Sequence, residues 1–421
     1  MADTIYIDDL ANPRLTGAQR GAIDYGESLR IDLDRDAILH EAMEKTGLND
    51  WGPMDFVERL DLLCDEWGND EGLLGIGRLS LRNKLLQFAC NRLLLQDMFN
   101  RHPEIDDIDI EAPLIVAGLP RSGTTHLVNL MAADARLRSL PLWESYEPVP
   151  SPGEGMLADG TDPRYRRCAE AWESMRQLTP HIAAMHPMNP DHIHEELELM
   201  GPNFGSYNME WLASMSPRWR DHYYNEDQTY QYEYMKRVLK LLLWQQRGSG
   251  RPTRWVLKCP QHLEQLPVLR RVFPDATIAI THRDPVSAIQ SAVTMLAYGD
   301  RMRRKQVMLD ELLAYWTDRI EHLLRACVRD RDILPADRTI DVPFDDFIED
   351  DVGWVERIYD KAGMPLHDEA RARFEAFVHA NSGNYGRVMY NLQDQFGADP
   401  RALRERFAFY YEAFSVQPGE V

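Results

Sequence analysis

The chain has 421 residues, 44% of them hydrophobic, enough to bury a substantial core in one α/β domain with insertions. Its formal net charge of −21 excludes the basic face that a nucleic-acid backbone requires, so a polyanionic ligand must be drawn by local cations. Five scattered cysteines form no C-x-x-C pair or metal spacing, and no run approaches ~18 apolar residues, so reduced thiols, a cytoplasmic location and no membrane span are expected.

Residues 1–110 read as helices joined by loops. They predict a helical N-terminal extension that packs on the core and walls a ligand pocket; an interaction or dimer module is the alternative, and a homodimer is left open. Ser80 suits the cap of a helix carrying Leu81, Leu85, Leu86, Phe88, Leu93, Leu94 and Met98, which ends before Pro103. Glu41, Glu44, Glu58 and Arg59 read as solvated faces.

The next stretch is of another kind. Leu114, Ile115, Val116 and Ala117 form the short apolar run of a strand buried on both faces. Gly118 and Gly123 bracket a tight loop, and Thr124 and Thr125 open a segment with Leu127, Leu130 and Met131 at helical spacing. Strand, glycine loop and helix aim backbone N–H groups and a positive helix end at one spot, which suits a phosphate. The plainer reading is a βα turn whose glycines serve geometry alone. The spacing nearly matches G-x-x-x-x-G-K-[ST], but Thr124 stands where the lysine belongs and Arg121 is the loop's cation. The lysine-and-magnesium chemistry of a triphosphatase is not kept.

Pro141, Pro148, Pro150 and Pro152 predict an ordered coil holding Glu144 and Glu147. From about 155 to 250 aromatics and methionines crowd in, among them Met185, Met188, Phe204, Tyr207, Trp211, Trp219, Tyr223 and Tyr232. Part of this must be core; an irregular aromatic insertion between strands also builds a ligand cleft. In the run from Asp191 to Glu198 a zinc motif fails, because H-E-x-x-H would need a histidine at 198. His192, His194 and Glu195 remain candidates for a general base or ligand contacts, against a capped, solvated helix start.

Residues 253–258 read as a strand ending at Lys258, a charge costly to bury unless it faces an anion. Pro260 and His262 follow, then a helix through Leu263, Leu266, Leu269 and Val272. Residues 276–282 read as another buried strand, ending at Arg283 with Asp284 as N-cap and Pro285 in the first turn. Ser291 lies two helical turns on, so Arg283 as a fork and Ser291 as a hydroxyl can reach one phosphate, unless they are a solvated pair that never meets. Arg301, Arg303, Arg304 and Lys305 head a helical region at about 303–330, as a solvated basic face or as a rim attracting an anion. Residues 339–342 suggest a further strand, 381–387 a glycine-bearing loop with Arg387, and about 400–414 a last packing helix.

Strand–helix alternation predicts an α/β fold, a central parallel sheet flanked by helices, with ligands at the carboxyl ends of the strands. The domain would span 111–421, with the insertion at about 155–250. The run GLPRSGTT resembles the 5′-phosphosulfate loop of sulfotransferases that use 3′-phosphoadenosine 5′-phosphosulfate (PAPS), in the bacterial and tyrosylprotein branch; Arg283 followed by Ser291 is similar to the family's 3′-phosphate motif. The resemblance implies a P-loop-type fold, PAPS as co-substrate and 3′,5′-adenosine bisphosphate (PAP) as product. It implies Arg121, Ser122, Gly123, Thr124 and Thr125 on the phosphosulfate, Arg283, Ser291 and Arg387 on the 3′-phosphate, and Lys258 on the sulfuryl group. As general base it implies Glu144, 23 residues past Arg121, close to the tyrosylprotein-branch position. Pro260 stands where the cytosolic branch has its histidine, which leaves His262 and His192 as alternatives. No metal is required. The expected reaction is in-line sulfuryl transfer to the hydroxyl of a small phenol, sterol or lipid-like alcohol; a kinase-like phosphotransferase or hydrolase, or a non-catalytic nucleotide-binding protein, is the alternative.

Overall fold

The apolar runs become strands. The computed structural model describes residues 4–381 and 387–419. Its strands are β1 (Thr4–Tyr6), β2 (Leu114–Gly118), β3 (Leu137–Arg138), β4 (Arg254–Lys258), β5 (Thr277–His282), β6 (Thr339–Pro343) and β7 (Arg387–Met389). Five of them form one all-parallel sheet in the order β3-β4-β2-β5-β6, and β1 pairs in parallel with β7. The chain leaves β2 toward one edge and crosses β2 later to build the other. Such a reversal of strand order opens a crevice at the strands' carboxyl ends.

Alternation along each strand explains why the sheet is covered twice. Ile115, Ala117, Leu257, Ile278 and Ile280 enter one apolar cluster, while Leu114, Val116, Val256 and Ala279 enter another on the opposite face. A third cluster joins the N-terminal helices to residues near 204–223: Phe56, Leu60, Trp67, Leu85 and Phe88 pack with Phe204, Met209, Trp219 and Tyr223. The aromatic stretch is therefore mostly core. Of the residues that suggested a cleft, Met188 and Trp211 line the main cavity.

Several local expectations change. The long N-terminal helix runs Gly75–Arg101, so Ser80 lies inside it rather than capping it. Gly75 and Gly77 allow the early start, since a Cβ there would meet the backbone of Gly26 or Arg303 at 2.3 and 2.5 Å. Arg59 is buried, bonding the Asn203 carbonyl at 2.8 Å and pairing with Asp55 and Glu226. Glu144 stands on a short helix, Leu142–Tyr146, that Pro141 precedes. The helical region expected at about 303–330 begins later, at Leu309–Asp330, and is separated from the preceding helix, Pro285–Arg303, by a break. No glycine or proline causes it; the Lys305 and Leu74 N–H groups donate across to the Gly72 and Arg303 carbonyls at 2.9 Å, a tertiary pairing that overrides helix propensity. Three of the four residues of the basic run are paired rather than solvated, Arg301 with Asp9, Arg303 with Asp300 and Arg304 with Asp70, and Arg303 also borders the main cavity, where the rim reading would put it. The last helix is also divided, into Pro400–Arg406 and Ala408–Phe414.

Candidate active site

The loop after β2 is shaped by what cannot fit. A Cβ on Gly118 would lie 2.0 Å from Thr281 Oγ1, and Gly123 has φ +81°, left-handed backbone that only glycine adopts without strain. Arg121 also has a positive φ, +69°, a strained arrangement for a residue with a side chain. The helix Thr124–Ala132 begins directly at Gly123 with no side-chain cap, so its first-turn N–H groups are left for a ligand at the positive end of the helix. Ser122 differs from expectation. Its hydroxyl donates to the Leu119 carbonyl at 2.6 Å and meets Thr281 Oγ1 at 2.7 Å, and its N–H also goes to Leu119. It holds the loop's shape from inside.

Three strand ends converge here. From β5, Arg283 donates to the Arg121 carbonyl and lies over the Phe344 ring at 4.1 Å. Arg121 Nε in turn donates to Ser291 Oγ at 2.9 Å. Arg283 and Ser291 thus meet through Arg121, which neither motif alone indicates. Among the described residues neither arginine makes an ion pair. Asp284 is turned away, capping its own helix at Val286 N and holding Arg404, Tyr411 and Gly419 N. Burial, with Arg121 adding to it, lowers the pKa of Arg283, the response of a cation waiting for an anion.

From β4, Lys258 is buried; its Nζ lies 3.3 Å from Thr125 Oγ1 and pairs with Glu195. Arg121, Thr124, Thr125 and Glu195 border a cavity of about 630 Å³. Its far wall is the helix Gly75–Arg101, which offers Ser80, Asn83, Lys84 and Gln87, one face at helical spacing. Lys84 pairs with Glu198 at 2.6 Å and stands over the Tyr146 ring at 4.0 Å. Met175, Met188, Leu197, Trp211, Leu212 and Met295 give the cavity an apolar side. The polar stripe at 80, 83, 84 and 87 is a signal that sequence reasoning missed, with Ser80 read as a helix cap and residues 83, 84 and 87 given no role.

Of the residues weighed as a base, Glu195 and His194 border the cavity, while Glu144, His262 and His192 lie apart from it. Glu144 is ion-paired with Arg138, whose guanidinium stacks on Trp255 at 4.7 Å. His262 is fully buried beneath β4, with Nδ1 on the Tyr232 hydroxyl at 2.9 Å, and burial lowers its pKa to about 3. His192 does not border the cavity, and burial, with Lys258 adding to it, lowers its pKa to about 4. The run from His192 to Glu195 is an irregular strap across the ends of the sheet, with Ile193 bridged to Pro141, and leads into the short helix Leu197–Met200, whose start at Glu196 is buried rather than solvated. It brings Glu195 to the mouth. Arg387 has its backbone in β7, but its side chain and the loop before it lie outside the described residues. No helix among the described residues is long and apolar enough to cross a membrane.

A model of the sulfotransferase family matches residues 113–368. A crystal structure of a sulfotransferase from Mycobacterium tuberculosis H37Rv aligns over 90% of this chain and 100% of its own, with 27% identity and a TM-score of 0.77. One from Mycobacterium avium aligns over 91% and 97%, with 25% identity and a TM-score of 0.79. Among curated proteins no sequence matches it.

Proposed function

Because the chain belongs to the sulfotransferase family and is an enzyme of sulfuryl transfer, we propose that its donor is PAPS and its acceptor the hydroxyl of a small, lipid-like alcohol or phenol. The observation that carries this reading is a pair of guanidiniums, Arg121 and Arg283, tied to Ser291 and free of carboxylates among the described residues, beside an uncapped helix N-terminus. That charge suits a ligand with two separate phosphate ends. Arg283 and Ser291 would hold the 3′-phosphate. Thr124, Thr125 and the N–H groups of the first turn would hold the 5′-phosphosulfate, with Arg121 between the two. PAPS would supply the sulfuryl group.

Lys258, between Thr125 and Glu195, is placed to stabilise charge on the oxygens of the transferring group. Glu195 is the carboxylate at the junction of the loop and the cavity, so we assign it the acceptor proton, in place of Glu144, His262 or His192. The methionine and tryptophan wall favours an acceptor with an apolar body. The polar helix face opposite suits further hydroxyls on one edge of it.

Thermal unfolding with added nucleotides tests the donor. PAP should raise the melting temperature and Mg-ATP should not; at ~100 times its Kd a ligand adds roughly 2.7 kcal/mol to the native state. Arg283→Ala should abolish the PAP shift with the unliganded melting temperature retained. A shift with Mg-ATP alone would overturn the reading in favour of a phosphotransferase.

A further inference from the structure

Glu195 closes the strap and Glu196, with right-handed helical backbone (φ −68°, ψ −4°), opens the short helix Leu197–Met200, and the two side chains go to different partners. Glu195 meets the Lys258 side chain. Glu196 turns under the sheet, fully buried, and its Oε1 accepts the backbone N–H of Lys258 at 2.7 Å. Its other oxygen, Oε2, has no hydrogen-bond partner and lies 3.8 Å from His262 Nε2, which also has none. With Cys259 Sγ within 4.8 Å of both, these buried polar atoms call for a proton or a cation between them.

Which group carries that proton follows from charge. The groups facing Glu196 are Lys258 on β4, Cys259 and His262 on the turn after it, Tyr232 on the helix Thr229–Gln245, and Glu195 on its own strap. Glu195 already neutralises Lys258, and burial keeps Cys259 and Tyr232 protonated and His262 neutral. An ionised Glu196 would leave the pocket with one uncompensated negative charge out of reach of water.

We propose that Glu196 is a positioning residue held as the neutral acid, its Oε2–H turned toward His262 Nε2, 3.8 Å away, while its Oε1 pins the strap to β4, so that Glu195 is delivered to Lys258. This rests on the assignment of Lys258 and Glu195 above. The direction of the pKa agrees: burial raises Glu196 to about 8. A carboxyl raised in the folded state contributes stability that is full below the ordinary carboxylate pKa and is lost as pH rises through about 8.

The test compares Glu196→Gln and Glu196→Ala with the wild type. A glutamine copies the neutral acid, its oxygen accepting from Lys258 N–H and its amide facing His262. It should rescue what alanine loses, and its melting temperature minus that of the wild type should grow from pH 6 to pH 9. In Glu196→Ala, PAP release from PAPS with water as acceptor should fall on the order of a hundredfold in kcat at unchanged KM, as for a misplaced reacting group. If glutamine is as damaging as alanine, Glu196 is an ionised acceptor and the proposal is wrong. Stoichiometric zinc in purified wild type that is lost in Glu196→Gln would overturn it too, with Glu196, Cys259 and His262 as its ligands. Absence of a PAP shift in the wild type would count against the donor assignment, while the pH comparison would still decide the state of Glu196.

Discussion

Glu195 shows how a single side chain acquires its role from residues distant in sequence. In the chain it is one of four acidic residues around two histidines, and nothing local says which of them faces a cavity. In the fold, Glu195 pairs with Lys258 beside Thr125, while Glu196, where the strap turns into the helix Leu197–Met200, bonds the Lys258 backbone from beneath. Glu195→Gln should therefore lower kcat by roughly 10²- to 10⁴-fold, the usual worth of a general base, with PAP affinity retained. Turnover with a panel of phenols and long-chain alcohols, beside a calorimetric PAP titration, checks it; unchanged turnover would exclude Glu195 as the base. Lys258 was legible beforehand, because a charge at the end of a buried strand must face a partner. Ser122 was not, because a loop motif says which residue types are present and not which hydroxyls turn inward.

At the scale of elements, the strands β2, β4, β5 and β6 and the loop were readable from apolar runs and glycine spacing, while the order of the sheet was not and β3 was too short to leave a pattern. The aromatic insertion was the harder case, since core and cleft use the same residues. What holds it against the helix Leu309–Asp330 is a buried charge network invisible to periodicity. Arg319 Nε reaches Glu210 at 2.8 Å, its two terminal nitrogens reach Glu264 at 2.6 and 2.7 Å, and the Tyr315 and Tyr223 hydroxyls donate to those carboxylates. Replacing the cation and leaving both acids strands two buried carboxylates. Arg319→Met should cost about 3–5 kcal/mol in unfolding free energy, as breaking a buried pair does. Urea unfolding followed by tryptophan fluorescence measures it, and a loss below 1 kcal/mol would mean that water reaches the network.

For the whole molecule, the question is whether residues 1–110 can be taken away. Helical patterning suggested an N-terminal extension packed on an α/β domain spanning 111–421. The packing argues for one body. Leu94, Leu95, Met98 and Phe99 enter the cluster on one face of the sheet, and β1 completes its ladder with β7 near the opposite end of the chain. The same helix supplies the far wall of the cavity, and Arg92, buried, donates to the Trp51 and Asn203 groups that join the two regions. Each large apolar side chain uncovered forfeits roughly 1.5–3 kcal/mol, so loss of a few exceeds the 5–15 kcal/mol by which a native protein is stable. A chain of residues 111–421 should therefore show no cooperative thermal transition and should bind a hydrophobic dye. Adding residues 1–110 as a separate chain should restore the transition if the interface alone supplies the missing core. A cooperative transition in 111–421 alone, with a PAP shift, would show instead that the sheet and its phosphate site are independent and that the N-terminal helices serve only the acceptor.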